Sequence, residues 1–224
     1  MKNLSLAVLI GVFLFLGGCG SPDNGNPGGE KEHNGNTTVV DASFSIDLSK
    51  VPGYDSTDPI NNQYLAVINY LRSLSIKCND SSALSGPVGV DLSWEDHVAA
   101  AAKEHSEDMR LSVHYNHDGS GTVNDKTAQA LGLARGSRFD ERIIHNGYTG
   151  GTQAENIAIM EATGSSPASD SWVKVMEGWT KSTHGHCSNI MNPNLTDFGM
   201  HESRAAKDGS GVYKIYWTQD FGGQ

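Results

Sequence analysis

The sequence is short of basic residues, of long apolar runs and of cysteine. Lys and Arg number 16 against 26 Asp and Glu, for a formal charge of -10. They form no basic run, so a nucleic-acid backbone is repelled by most of this surface, and nucleic acid is excluded as a partner. No HExxH pair and no GxSxG elbow occurs, which removes the zincin peptidases and the hydrolases built on a nucleophile elbow. The apolar run from Leu6 to Leu16 falls short of the ~20 residues that cross a bilayer. What remains is a chain of 224 residues with 37% hydrophobic content, enough for one globular domain with its own core and a tail.

The tail carries its own signals. Lys2, the apolar run and two small residues read as a signal peptide over residues 1–18. Its ending, Leu16-Gly17-Gly18-Cys19, resembles the lipobox of bacterial lipoproteins. That resemblance implies cleavage before Cys19, acylation there, and a protein tethered by its N-terminal lipid to a membrane of the bacterial cell envelope, outside the cytoplasm. Gly20 to Thr38 is Gly, Asn, Pro, Ser and charge, so residues 19–56 are read as the lipidated Cys19 and a flexible tether ending in a lead-in strand or extended segment. The folded domain spans residues 57–224. With Cys19 acylated, Cys78 and Cys187 form an even pair in an exported protein, a disulfide candidate whose alternative is two free buried thiols.

Within the domain, Trp172, Val175, Met176 and Trp179 follow the i, i+3, i+4, i+7 spacing of a helix with one buried face. A turn holding His184, His186, Cys187 and Asn189 follows it directly, at the place where a cleft rim is expected. Helical geometry puts Glu177 on the opposite side of that helix, facing water. Tyr64, Val67, Ile68, Leu71 and Leu74 predict a first helix, with Arg72 away from its stripe. Ser93 is the expected cap of a second, whose Val98, Ala102, His105 and Met109 share a face; His105 there reads as a satisfied core residue. Residues 125–133 and 137–144 predict short helices. Asn116 to Thr122 is a turn, and its His117 reads on composition alone as a solvated loop residue. Glu155, set among apolar residues in Gln153 to Ala158, needs partners if buried. Phe198 to Glu202 and Val212 to Asp220 alternate as strands.

Taken in order, INYLRS, LSW with HSEDM, NHDGSGT, RIIHNGY, AENIA, GWTKS, GHCSNIMNPNLTDFG and YWTQDFG resemble the CAP superfamily, the SCP domains of cysteine-rich secretory, antigen 5 and pathogenesis-related 1 proteins, over Ile60 to Phe221. The resemblance implies an α+β fold, a three-layer α-β-α sandwich with a small antiparallel sheet, and a cleft lined by two His and one or two acids. Carried over residue by residue, the cleft residues are His117, Glu155 and His186, with His184 as the rival for the last because this turn is one residue longer than in bacterial relatives. Ser182 stands where animal and plant members place a second Glu.

Two functions follow from the resemblance. One is a binding module for a lipid, sterol, small molecule or partner protein. In the other, a weak metal-dependent hydrolase or peptidase, His117 and His186 (or His184) hold a divalent metal such as zinc, and Glu155 is the base for its water, so that His117, Glu155 and His186 are catalytic.

Overall fold

A computed structural model describes residues 38, 40–80, 82, 84–163, 171–206 and 208–224. The expected signal peptide, Cys19, the tether up to position 37 and the cluster of Pro167, Ser169 and Asp170 lie outside the described residues.

Strands β1 (Ser93–Trp94), β2 (Thr152–Thr163), β3 (Asp197–Arg204) and β4 (Val212–Gly223) make a four-stranded sheet in the order β1-β3-β4-β2. Both β2 and β3 run antiparallel to β4, and the two-residue β1 joins parallel to β3, so the sheet is mixed at that edge rather than wholly antiparallel. Helices α1 (Ile60–Ser73), α5 (Ser171–Lys181) and α6 (His186–Ile190) cover one face. The opposite face carries α2 (Asp96–Ser112) and α4 (Phe139–His145), with α3 (Lys126–Leu131) beside α4. The architecture is the expected α+β fold in three layers.

Alternation along the last strand divides the two cores. Ile215, Trp217 and Phe221 pack with Tyr64, Val67, Ile68 and Leu71 of α1 and with Trp172, Val175, Met176 and Trp179 of α5. Tyr216, turned the other way, meets Met109 of α2. The alanines of α2 let it sit close to the sheet: a Cβ on Gly199 of β3 would lie 2.3 Å from the Ala99 Cα. The disulfide between Cys78 and Cys187 is formed, and it ties α6 to the chain leaving α1.

Several local expectations change. Ser93 is in β1, and Glu95 caps α2 by accepting the Val98 N–H. Gln153 to Ala158 lies inside the twelve-residue strand β2, whose central residues are buried on both faces and so show no alternation. Among the described residues the lead-in forms no strand beyond an isolated bridge at Thr38, and it turns into a short 3-10 helix at Leu48–Lys50. Glu177 is buried, not solvated, because that lead-in crosses over α5 and the Ile46 N–H donates to Glu177 Oε1 at 2.9 Å. Arg72 is likewise buried, its guanidinium donating to the carbonyls of Val90, Ile190, Asn192 and Leu195.

Candidate functional site: a cleft at the sheet edge

Strand β2 ends the sheet, and successive side chains of a strand point to opposite faces. Glu155 therefore enters the α2 layer and Asn156 the α5/α6 layer. Each holds one wall of the cleft.

On the first wall, Glu155 is completely committed. Its Oε1 lies 2.8 Å from His117 Nδ1, and its Oε2 accepts from Arg142 Nη2 at 2.7 Å. The carboxylate is 1% exposed, whereas the His117 ring keeps 22% of its surface. Arg142 also donates to the His117 carbonyl at 2.8 Å and the Ser137 carbonyl at 2.6 Å, so one guanidinium fixes both the acid and the backbone of the histidine. Behind them His105 is fully buried, 3.8 Å from Glu155 Oε2 and 2.9 Å from the Asn116 carbonyl. It is a core residue as expected, but only half satisfied, since its buried Nδ1 has no hydrogen bond among the described residues.

The His117 turn is rigid for reasons its composition hides. Asp108 accepts from the Ser120 N–H at 2.8 Å, and Asp125 from the N–H groups of Gly121, Ala128 and Ser137 at 2.9–3.1 Å. Two aspartates thus supply the bonds that secondary structure would otherwise provide.

Electrostatics follow the burial. Desolvation alone would raise the Glu155 pKa, but Arg142 first and then the two imidazoles outweigh it and hold the carboxyl well below the usual range. Asp220, the cross-strand partner of Glu155, is fully buried, and neither carboxyl oxygen has a hydrogen bond among the described residues. Burial and then the charge of Glu155 push its pKa well above the usual carboxylate range. Burial drops His105 to about 3, leaving it neutral.

On the second wall, Asn156 Nδ2 donates to Gln219 Oε1 at 2.7 Å and to the His186 carbonyl at 3.2 Å. Asn189 Nδ2 reaches both the Asn156 side chain, at 2.8 Å, and the Glu155 carbonyl, at 3.2 Å, so this amide joins the two walls. His186 is 3% exposed, and its Nδ1 lies 2.7 Å from Ser182 Oγ. Ser182 thus partners His186 through its hydroxyl. Burial lowers His186 to about 4, and the like charges of His117 and then His184 add to the shift. His184 is exposed. The geometry therefore favours His186 over His184 as the second cleft imidazole.

The chain matches the family model of the Cysteine-rich secretory protein family, CAP, over residues 65–221. It belongs to the CAP family. No curated protein matches the chain. The CAP match takes in every cleft residue described above and ends at Phe221, one residue beyond Asp220; it leaves out the lead-in that covers Glu177.

His117, Glu155 and His186 are the residues to which the family resemblance points. Arg142, His105 and Asp220 as partners of Glu155 are not among them. Arg142 and Asp220 sit inside quoted motifs, RIIHNGY and YWTQDFG, and an Arg beside a fully apolar Ile143 and an Asp between Gln219 and Phe221 in a two-faced strand were the available signals.

As a cation site, the donor set is narrow. Each cleft imidazole has Nδ1 occupied, by Glu155 or Ser182, which directs Nε2 to any ligand. Among the described residues no group of three His, Cys, Asp or Glu closes on a common point. A cation held by His117 and His186 would take its remaining positions from water or ligand.

Proposed function

We propose that this CAP protein is an exported, lipid-anchored binding module, held through Cys19 at a membrane of the bacterial cell envelope, whose cleft presents the imidazoles of His117 and His186 to a lipid, small-molecule or protein ligand. The observation that carries this reading is the commitment of Glu155: 1% exposed, with one oxygen on His117 and the other on Arg142. A general base needs reach to its proton and a pKa near working pH. Glu155 has neither, and it serves as a positioning residue that sets the plane and Nδ1 contact of His117. The same commitment counts against a hydrolase in which Glu155 activates water.

The residues fit a divalent cation such as zinc bound through His117 and His186, with Glu155 and Ser182 as the outer partners that such imidazoles generally have. A cation there would give oxygen groups of the ligand a Lewis-acidic anchor. Neutral His186, with its pKa near 4, keeps a lone pair for that role down to mildly acidic pH.

Mass spectrometry of what co-purifies with the native protein tests the reading. Wild type is expected to retain a stoichiometric species, organic or metal, that His117→Gln/His186→Gln lacks. Identical inventories from the two proteins would overturn it, and turnover of a peptide or ester abolished by Glu155→Gln would restore the hydrolase.

A further inference from the structure

A second cavity, of about 550 Å³, lies between the lead-in segment Ala42 to Ser45 and the outer side of α5, and it ends at Ser182, Thr183 and His184. Its volume is in the range of small-molecule sites. Four of its eleven lining residues, Ala42 to Ser45, lie outside the 65–221 stretch that matches the family, so the lead-in supplies one wall of the cavity and the CAP domain the other.

The lead-in is fixed over α5 at two points. Lys181 Nζ donates to the Phe44 carbonyl at 3.0 Å, and the buried Glu177 accepts the Ile46 N–H at 2.9 Å. Between these points the floor is Gly178, a glycine inside a helix. Such a glycine is disfavoured by roughly 1 kcal/mol relative to alanine, and it adds no side chain to the lining. The only acid of the lining, Glu177, is already neutralised by Lys174 at 2.9 Å. Among the described residues Lys181 has no ion pair, and it keeps two ammonium protons beyond the one given to Phe44, with the hydroxyl residues Ser45 and Thr183 also lining the cavity.

We infer that this cavity is a binding site for a small organic carboxylate, its acid group on Lys181 and its apolar part over Gly178 and against Phe44. A cationic, hydroxyl-lined pocket on a chain of net charge -10 selects an anion locally while the rest of the surface repels it. The pocket differs from the His117 and His186 cleft, although Ser182 lines it while holding His186, so the two sites share one hydroxyl.

Benzoate and its neutral counterpart benzamide, titrated into the purified full-length protein, test this through the amide NMR signals of residues 178–184. Benzoate is expected to give saturable shifts at least about tenfold tighter than benzamide, the size of one charge-assisted hydrogen bond. Lys181→Met is expected to remove that difference. Gly178→Leu, which fills the floor and favours the helix, is expected to abolish both while the signals of His117 stay in place. Equal affinity for the two compounds, absence of saturable shifts, or undiminished binding to Gly178→Leu would each overturn the proposal.

Discussion

The His117 wall and the His186 wall contain one buried arginine each, and the two are used differently. Arg142 meets a carboxylate, and that carboxylate, Glu155, gathers two imidazoles and its cross-strand partner Asp220 into one charged knot. Arg72 meets backbone carbonyls from the chain around α6, and burial lowers its pKa to about 10. It shares its task with a covalent bond, because Cys187 follows His186 directly. Asp80, accepting from the N–H and hydroxyl of Ser188, adds a further tie between the same segments. One wall is therefore held by charge pairing and the other by a covalent staple with carbonyl acceptors. A charged knot orients a ring strongly and depends on every partner; a staple tolerates the loss of any single hydrogen bond.

Breaking the staple is expected to have the largest effect. Cys78 and Cys187 are 109 residues apart, and loop-closure entropy for such a separation amounts to about 4–5 kcal/mol. Urea denaturation of Cys78→Ser/Cys187→Ser should show a loss approaching that size, with the His186 signals disturbed before those of His117. Next comes the knot. Arg142→Met leaves Glu155 as an uncompensated buried charge and is expected to lose about 3–5 kcal/mol. Adding Glu155→Gln should restore part of that loss, since the double variant buries no net charge; a double variant less stable than Arg142→Met alone would show that the pair is not the source of the cost.

Acid should separate the walls. His186 has a folded-state pKa of about 4 against an unfolded value of 6.5. The unfolded chain therefore takes up a proton first as pH falls, so the stability present above pH 6.5 declines down to pH 4, by about 3 kcal/mol from this residue. His105, depressed to about 3, acts in the same direction. Glu155 acts in the same direction but in a lower window: its pKa is lowered, so its stabilisation is lost only when pH falls through and below the ordinary carboxylate range. Thermal melts from pH 7 to 4 should show a shallower decline in His186→Gln than in wild type, and an unchanged profile would place the titration elsewhere.

The smallest expected effect concerns backbone strain. Each wall has a left-handed residue close to its histidine: Gly185 at φ 87 before His186, and Val113 at φ 51 at the end of α2, before the His117 turn. A β-branched residue is unfavourable there by roughly 1–2 kcal/mol, and glycine is not. Val113→Gly is expected to stabilise by about 1 kcal/mol and Gly185→Ala to destabilise by a similar amount, both read from denaturant midpoints.

These contrasts also mark what the sequence could convey. Helical periodicity found α1 and α5 because each has one dry face, and alternation found β3 and β4. It missed β2 because a strand covered on both sides has no polar phase to display. It misplaced Glu177 because the burial comes from a segment more than a hundred residues earlier, which no local pattern records. In the cleft, the family resemblance and not composition pointed to His117, Glu155 and His186, whereas their partners arrive through the pairing of Glu155 with Asp220 and the docking of α4, both long-range facts.

The central claim is that imidazoles from two layers, set by Glu155 and by Ser182, face one shared ligand position at the edge of β2. Zinc titration followed through the imidazole nitrogen signals tests it most directly. The account expects the Nε2 signals of His117 and His186 to move together, saturating at one zinc per protein, with no such response in His117→Gln or His186→Gln. Zinc uptake that moves only one of the two rings, or that persists in both variants, would contradict it.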